Sequence, residues 1–320
     1  MKLDVVALGE LLIDFTPMGR SASGGALFEQ NPGGAPANVL VALARLGGRG
    51  AFIGKVGNDQ FGTFLKQVLE THGVETHGLR FTSSASTTLA FVHLDRQGNR
   101  SFSFCRKPGA DTLLEPGEVN LSLIERGGIF HFGSLSLTHE PARTATMHAV
   151  RHAKKFGKII SYDPNWRPPL WESAAAAKEG MKAGLAYCDI LKISDAELEF
   201  LTGETDVPRA TDRLLDLGIK IILATLGPKG CYFRCGTGSG HIPSYPVNVI
   251  DTTGAGDAFL GGFLSQLCRL QKAPEELQAA ELADMVRFAN AVGALCTTQK
   301  GAISAMPSEQ EVMSLLQTGQ

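Results

Sequence analysis

Short apolar runs rich in β-branched residues alternate along this chain with longer segments whose apolar residues recur every three or four positions. The short runs predict strands that are buried on both faces, and the longer segments predict amphipathic helices. Such an alternation is typical of a mostly parallel sheet that is covered by helices on both sides. The strands predicted for this sheet are residues 5–8, 51–56, 129–132, 158–162, 190–193 and 219–225.

The helical patterns lie between these strands and dominate the last third of the chain. They predict helices over residues 36–46, 60–71, 141–156, 173–186, 195–201, 208–217, 255–270, 274–298 and 308–316.

Two segments depart from the alternation. Residues 11–35 contain many glycines and little helical periodicity. Residues 88–94 and 101–105 predict two strands, and the intervening Asp95–Asn99 has the composition of a hairpin loop. We expect a small antiparallel sheet outside the main one, placed over the crevice where ligands bind in open α/β sheets.

Composition and charge exclude several classes of protein. The chain has 320 residues, 43% hydrophobic content and a formal net charge of −2, which excludes a disordered chain and a general binder of nucleic acid. No apolar run approaches the ~18 residues of a membrane span. Asp4 and Glu10 interrupt the region where a signal peptide needs an apolar centre. With six scattered cysteines, we expect a reduced cytoplasmic protein without membrane or nucleic-acid partners.

The strongest local motif is Asp251-Thr-Thr-Gly-Ala-Gly-Asp257, which is followed by an apolar helical pattern. Gly254 and Gly256 let the backbone approach a ligand, and a helix start offers free N–H groups and a positive dipole to an anion. Asp257 lies at that same start. N–H groups that take developing charge beside a carboxylate that accepts a hydroxyl proton suit phosphoryl transfer. The alternative is a glycine-rich helix cap with an ordinary first-turn acid.

Other nucleotide motifs are missing, and a second motif points to a polyol. The sequence contains no P-loop, and Phe259 stands where a dinucleotide fingerprint needs Gly or Ala, which disfavours hydride transfer. The segment Asn31-Pro-Gly-Gly-Ala-Pro-Ala-Asn38 places two glycines at a helix entry and an amide one turn inside. That amide could hydrogen-bond a polyol, or the segment could be only a turn and a helix start.

Together, the Gly-Gly-x-x-x-Asn and Asp-Thr-Thr-Gly-Ala-Gly-Asp motifs resemble the two signatures of the ribokinase-type (pfkB) carbohydrate kinases, from Gly9 to about Pro307. Residues 104–111, 133–137, 162–171 and 288–295 are most similar to those of fructokinases. The resemblance implies one domain over residues 1–320 with a ribokinase-like, doubly wound α/β fold. It also implies a small antiparallel β lid, formed by about 11–35 and 87–112, which serves as a dimer interface in relatives.

The resemblance further implies ATP-dependent phosphorylation of a sugar hydroxyl, with D-fructose 6-phosphate as the expected product. Asp257 would be the general base, beside an anion hole formed by Gly254, Ala255 and Gly256. The sugar would be held by Asp14, Gly33, Gly34, Asn38, Arg106 and Arg167. The nucleotide side would be lined by Lys192, Ser194, Thr225, Gly227, Gly230 and Asn290. Glu197 would help to hold Mg²⁺ through water, and K⁺ would be bound by Asp251, Thr253, Cys296 and Gly301.

Two departures from the family pattern and two alternatives remain open. Ser194 replaces the Asn of the family's Asn-x-x-Glu motif, and Cys105 stands where related lids often carry Tyr. Arg106 and Arg167 could clamp the carboxylate of 2-keto-3-deoxygluconate instead of contacting fructose. The chain could also be a sugar-binding relative that has lost catalysis. Asp251, finally, could only cap the following turn rather than bind K⁺.

Overall fold

The apolar runs form strands in the computed structural model, which describes residues 2–94 and 100–318. The predicted hairpin loop Asp95–Asn99 lies outside the described residues. The described strands, in chain order, are β1 (Leu3–Leu8), β2 (Leu12–Arg20), β3 (Ala26–Gly33), β4 (Gly50–Gly57), β5 (Glu75–Thr82), β6 (Leu89–Leu94), β7 (Arg100–Cys105), β8 (Gly127–Gly133), β9 (Ile159–Asp163), β10 (Ile190–Ser194), β11 (Ile221–Thr225), β12 (Cys231–Cys235) and β13 (Gly238–Ile242).

The helices occupy the segments where the three-to-four residue periodicity predicts them, with one addition, the short α3. The described helices are α1 (Ala35–Arg45), α2 (Gln60–Thr71), α3 (Leu121–Arg126), α4 (Ala142–Lys155), α5 (Ala174–Leu185), α6 (Asp195–Thr202), α7 (Val207–Leu215), α8 (Ala255–Leu270), α9 (Ala279–Cys296) and α10 (Glu309–Thr318). None of them is long and apolar enough to cross a membrane.

The main sheet has nine described strands in the order β13-β12-β11-β10-β9-β8-β1-β4-β5. The seven strands from β11 to β5 run parallel to their neighbours, and β12 and β13 add an antiparallel edge. Alternate side chains of a strand point to opposite faces, so Val5 and Ala7 pack with α1, α2, α8 and α9, whereas Val6 and Leu8 pack with α3 to α7. This doubly wound arrangement confirms the predicted fold class.

The small second sheet has the order β3-β2-β6-β7. The outer pairs β2–β3 and β6–β7 are antiparallel as expected, and β2 and β6 join them through one parallel pairing. Residues 11–35, in which the sequence predicts no specific element, form β2 and β3. These strands pair with each other, and β2 also pairs with β6.

Several elements of the main domain differ from the sequence prediction: β5, β12 and β13 are not among the strands predicted for the main sheet, and one predicted helix is divided. The edge strand β5 is not predicted, because its Glu75, His77 and Gly78 interrupt the apolar run. The helix predicted over residues 274–298 is divided into a 3₁₀ turn at Pro274–Glu276 and helix α9. Gln278 is extended between them and caps α9, which explains the division.

Helix α8 lies between α1 and α9 at close range. A Cβ on Gly261 would lie 2.5 Å from the Cβ of Ala42 in α1, and one on Gly262 would lie 2.8 Å from the Cγ2 of Val292 in α9. The absence of side chains at these two positions therefore lets the three helix backbones approach one another. As a result, the first turns of α1 and α8 face each other above the carboxyl ends of the strands.

We predict that Gly261→Ala destabilises the protein by about 1–2 kcal/mol. Alanine in place of glycine stabilises an exposed helix by about 1 kcal/mol, but overpacking a core contact costs about 1–3 kcal/mol, and here the second effect outweighs the first. Urea unfolding followed by circular dichroism measures the change. Gly117→Ala is the control, because a Cβ at this exposed glycine meets no atom within 4 Å. Equal stabilities of the two variants would contradict the packing argument.

Candidate active site

Helix α8 begins with a backbone cradle. Gly254 caps the helix in the left-handed region with φ 76°, and a Cβ there would lie 2.7 Å from the Cβ of Ala302. The next residues, Ala255 and Gly256, form the first turn, whose N–H groups have no acceptor within the helix. A Cβ on Gly256 would lie 2.9 Å from the Nζ of Lys192. Outside the helix, the N–H of Ala255 donates to the carbonyl of Thr252 at 3.3 Å. The cradle therefore combines first-turn N–H groups with a nearby ammonium, as an anion site requires.

Asp257 lies in the same turn and meets the first turn of α1. Its Oδ2 accepts a hydrogen bond of 2.8 Å from the Nδ2 of Asn38, and both side chains are buried. The Oδ1 of Asn38 has no partner among the described residues and can accept from a bound hydroxyl. Gly33 and Gly34 precede α1, and the carboxylate of Asp14 fills the space that a side chain on Gly33 would need. The structure thus brings four of the predicted sugar ligands to Asp257.

Three carboxylates and two cations share this crevice. Burial and the charge of Asp163 raise the pKa of Asp257 to about 6, against the opposing effects of the Asn38 hydrogen bond and of Lys192 and Arg167. Burial likewise raises the pKa of Asp14 to about 6, and the charge of Arg167 acts in the opposite direction. Asp14 and Asp257 are therefore mostly ionised at neutral pH but ionise less readily than exposed carboxylates do.

Ser194 and Glu197 form a capping box at the start of α6. The Oε2 of Glu197 accepts from the backbone N–H of Ser194 at 2.8 Å, and its Oε1 accepts from that of Trp166 at 2.6 Å. Burial opposes ionisation of Glu197, but the charge of Lys192 and these hydrogen bonds together lower its pKa. No cluster of three or more His, Cys, Asp or Glu able to hold a metal occurs within residues 2–94 and 100–318. An ionised Glu197 nevertheless fits Mg²⁺, which commonly uses one or two carboxylates together with substrate phosphates.

Of the residues predicted for the nucleotide side, Lys192 and Ser194 belong to β10, and the others lie at or after the end of β11 and on α9. Thr225 ends β11, and Gly227 and Gly230 flank the next turn with positive φ values of 56° and 96°. Asn290 of α9 donates to the carbonyls of Ile242 and Pro243 at 3.0 and 3.1 Å. Its side chain thus fixes the backbone that leaves β13.

A cavity of about 810 Å³ lies farther along α8 and α9. It is lined by Pro243 and Tyr245 on one side and by Leu270 and Phe288 on the other. Leu270 is 13 residues beyond Asp257 on α8, which places it about 20 Å away along the helix axis. The cavity is therefore separate from the cluster around Asp257.

The four residues predicted to bind K⁺ are neighbours in space. Asp251 is buried, and its carboxylate accepts from the N–H of Thr253 at 2.7 Å and from that of Gly301 at 3.1 Å. The thiol of Cys296 donates to the carbonyl of Thr253 at 3.8 Å. Asp251 thus caps the turn, as the alternative reading of the sequence has it. The carbonyl of Thr253, which accepts from Cys296, is the one backbone oxygen in these contacts. Binding of K⁺ at Asp251 therefore stays a prediction.

The two predicted arginines have different surroundings. Arg106 is buried, and its guanidinium pairs with Asp111 at 2.6 Å and donates to the Oγ1 of Thr138 and the carbonyl of Leu135, both at 3.0 Å. These contacts join the small sheet to the loop after β8. Arg167 is only partly buried, and its charge acts on both Asp14 and Asp257. Of the two, Arg167 is therefore the one directed at the carboxylate cluster.

Comparison with known proteins assigns nearly the whole chain to one family. The family model for pfkB family carbohydrate kinases matches residues 2–309. The chain belongs to the pfkB family of carbohydrate kinases. It is 45% identical to fructokinase-2 of Solanum lycopersicum over 318 residues, which cover 98% of this chain and 96% of the relative.

Solved structures of pfkB kinases agree with this assignment. The ATP-bound fructokinase of Xylella fastidiosa superimposes with a TM-score of 0.92 at 37% identity and covers 99% of both chains. A double-mutant fructokinase of Vibrio cholerae, crystallised with fructose, ADP and a potassium ion, superimposes with a TM-score of 0.89 at 35% identity and covers 98% of this chain and 99% of its own. The predicted resemblance, including its fructokinase-like character, is confirmed.

Three residues at the centre of this pfkB site are not among the predicted site residues. Asp163 ends β9 and pairs with Lys192 at 3.0 Å. Asp111 pairs with Arg106, and Glu10 follows β1 and accepts from the N–H of Ala35 at 2.9 Å. Asp163 and Glu10 lie at or just beyond the carboxyl end of a strand, where parallel sheets place their ligands, and that position is the signal that could have identified them. Asp111 lies within the 3₁₀ turn Ala110–Leu113, which carries no such signal.

Glu10 caps the start of α1, the helix that carries Asn38. Its Oε1 accepts from the N–H of Ala35, whereas its Oε2 is buried and has no partner among the described residues. Burial raises the pKa of Glu10 to about 7 against these backbone hydrogen bonds and the charge of Arg106. Glu10 is therefore partly protonated at neutral pH in the folded protein and ionised in the unfolded chain.

We predict that the stability of the wild type falls with rising pH and that Glu10→Gln removes part of this fall. A carboxyl whose folded-state pKa exceeds its unfolded value stabilises the fold fully below the unfolded pKa and loses that contribution as the pH rises through the folded pKa. With a folded-state pKa of about 7, Glu10 should cost the wild type about 2 kcal/mol between pH 5.5 and 8.5.

Urea unfolding of ligand-free protein at both pH values measures the effect, with the exposed Glu172→Gln as the control. Glutamine keeps the acceptor for Ala35, so the variant should gain about 2 kcal/mol relative to the wild type over this interval. An equal pH dependence of wild type and Glu10→Gln would contradict the assignment.

Proposed function

We propose that this pfkB kinase transfers the γ-phosphoryl group of ATP to D-fructose and forms fructose 6-phosphate. The observation that carries the proposal is the buried Asp257, which lies beside the glycine cradle of α8 and is bonded to Asn38. The similarity to fructokinases, among them structures with ATP and with fructose and ADP, supports both substrates.

The sugar is held on the α1 side of the crevice. Asn38 accepts from one hydroxyl through its free Oδ1, and Asp14 accepts from others beside the Gly33–Gly34 turn. The reacting hydroxyl then faces Asp257. Because the pKa of Asp257 is about 6, the carboxylate is ionised at pH 7 and yet is more basic than an exposed aspartate, which suits a general base.

The phosphates are held on the α8 side. The N–H groups of Ala255 and Gly256 take the charge of the γ-phosphoryl group, together with the nearby ammonium of Lys192. Glu197 would hold Mg²⁺ through water, and the ion would supply neutralisation of the phosphate charge. The nucleoside side of the crevice is lined by Ser194, Thr225, Gly227, Gly230 and Asn290.

The small sheet acts as the lid and as a dimer interface in this proposal. It lies over the Asp14 side of the crevice, and its closure would exclude water that otherwise hydrolyses ATP. Its strands β2 and β3 expose Met18, Leu27 and Phe28, each more than two-fifths accessible. A second copy of the chain would cover these apolar side chains. All six cysteines are unpaired, which supports a reducing, cytoplasmic location.

The sugar-acid alternative has less support. A bidentate clamp for a carboxylate needs free guanidinium N–H groups, and those of Arg106 already bind Asp111, Thr138 and Leu135. Arg167 alone remains for such a ligand. Fructose, whose hydroxyls match the carboxylate and amide groups of Asp14 and Asn38, fits the crevice better.

We predict that Asp257→Asn lowers turnover with fructose by at least ~10²-fold, because the variant keeps the shape but loses the proton acceptor. A coupled ADP-release assay with Mg-ATP measures it. The same assay compares fructose with glucose, mannose, ribose, adenosine and 2-keto-3-deoxygluconate. The exposed Asp216→Asn is the control and should retain full activity. Wild-type turnover of Asp257→Asn would refute the mechanism, and preference for another acceptor would refute fructose as the substrate.

We also predict that K⁺ activates the enzyme severalfold over choline at equal ionic strength. A cation bound beside Asp251 would fix the turn that leads to Gly254, and so the anion cradle. Asp251→Asn should abolish the difference between the two salts while the unfolding transition persists. If wild type and variant respond equally to K⁺, the cation does not act at this site.

A further inference from the structure

Asp163 and Lys192 form a buried ion pair on neighbouring strands. The parallel register of β9 and β10 pairs Leu191 with Tyr162, so the next residues, Lys192 and Asp163, are side by side on one face. Their charged atoms are 3.0 Å apart, and the residues are 7% and 1% exposed. Asp163 ends β9, Lys192 lies two residues before the end of β10, and the Nζ of Lys192 lies beside Gly256 in the first turn of α8.

The ammonium of Lys192 is shared between the cradle and its carboxylates. It packs against the backbone of Gly256, and its pKa is raised because the charges of Asp163, Glu197 and Asp257 together outweigh its burial. The oxygens of Glu197 already accept from two backbone N–H groups. Asp163 and Asp257 are therefore the carboxylates that compete for this cation.

Lys192 pairs with Asp163 rather than with Asp257. Lys192 bonds to Asp163, and Asp257 bonds instead to the neutral amide of Asn38. We propose that Asp163 is a positioning residue that holds Lys192 below the cradle and away from Asp257, so that Asp257 stays free to accept the substrate proton. This inference rests on the proposed function of Asp257 and adds a role for a residue outside the two motifs.

Removal of Asp163 should redirect the cation. A buried ammonium without a counter-ion costs several kcal/mol, so Lys192 would turn to another carboxylate. Glu197 is held by two backbone N–H groups, whereas Asp257 is bonded to the side chain of Asn38, so we expect Lys192 to turn to Asp257. The lost charge of Asp163 and the new contact both lower the pKa of Asp257. The other groups that face Asp257 are Asn38 from α1, Arg167 from the loop after β9, Asp14 from β2 and Cys296 from α9, and all four stay in place. Asn38 and Arg167 also lower the pKa of Asp257.

The test is the pH profile of Asp163→Asn in the full-length enzyme with saturating Mg-ATP. We expect the acid limb of kcat/KM for fructose to move down by about one pH unit, and kcat at neutral pH to fall about tenfold or more. Asp163→Glu keeps the charge and should keep the wild-type limb. An acid limb that Asp163→Asn leaves in place would overturn the proposal, as would a shift confined to the Mg²⁺ concentration needed for activity.

A second variant separates positioning from simple damage to the site. In the double variant Asp163→Asn, Lys192→Met, the two opposing charges near Asp257 are both removed, so the acid limb should return towards its wild-type position. A merely structural role of Asp163 predicts no return. Asp216→Asn serves again as the exposed control.

A readout independent of turnover keeps this inference distinct from the proposed function. Carboxyl ¹³C NMR of ligand-free protein should show the titration of Asp257 shifted down in Asp163→Asn and restored in the double variant. An unshifted titration overturns the inference even if the enzyme phosphorylates fructose. A shifted titration supports it even if fructose is not the acceptor.

Discussion

The hydrogen bond between Asn38 and Asp257 joins the starts of α1 and α8, and it forms only because the main sheet and the packing of these helices bring the two starts together. The two residues are separated by 219 positions in the chain and belong to the first turns of different helices. They meet because α1 and α8 pack on the same face of the main sheet and approach closely at Gly261. A helix start is where unpaired N–H groups and a positive dipole are available. Two such starts facing each other create a crevice that favours anions and the carboxylates that handle them.

The crevice buries carboxylates, and their ionisation is therefore unfavourable. Burial raises the pKa values of Asp14 and Asp257 to about 6 and that of Glu10 to about 7, so ionising them costs the fold stability. Arg167 and Lys192 offset part of this cost through their charges. A fully compensated carboxylate would be a weak base, and an uncompensated one would stay protonated. The observed balance keeps Asp257 ionised and basic at neutral pH, as proton transfer from a hydroxyl requires.

Periodicity and local motifs predict those elements whose bounds are set by residues within or next to the element itself. The bounds predicted for α2 and α8, residues 60–71 and 255–270, are those of the structure, because caps and apolar spacing lie within each segment. The glycine motifs identify both helix starts for the same reason. Asp163 and Glu10 could not be assigned in this way, since each acts on a group far away in the chain. Arg106 illustrates the converse: its motif suggests a ligand, but its nearest partners are Asp111, Thr138 and Leu135 of the protein itself.

The same distinction clarifies the effect of Ser194 in place of the family's asparagine. The side chain of Ser194 caps α6 by accepting from the N–H of Glu197 at 3.4 Å, a contact that asparagine could also make. The carboxylate of Glu197, however, is fixed by two shorter bonds from the backbone N–H groups of Trp166 and Ser194, at 2.6 and 2.8 Å. Backbone donors do not change with the side chain at position 194. The position of Glu197 is therefore preserved, and the substitution alters only the polar group beside it.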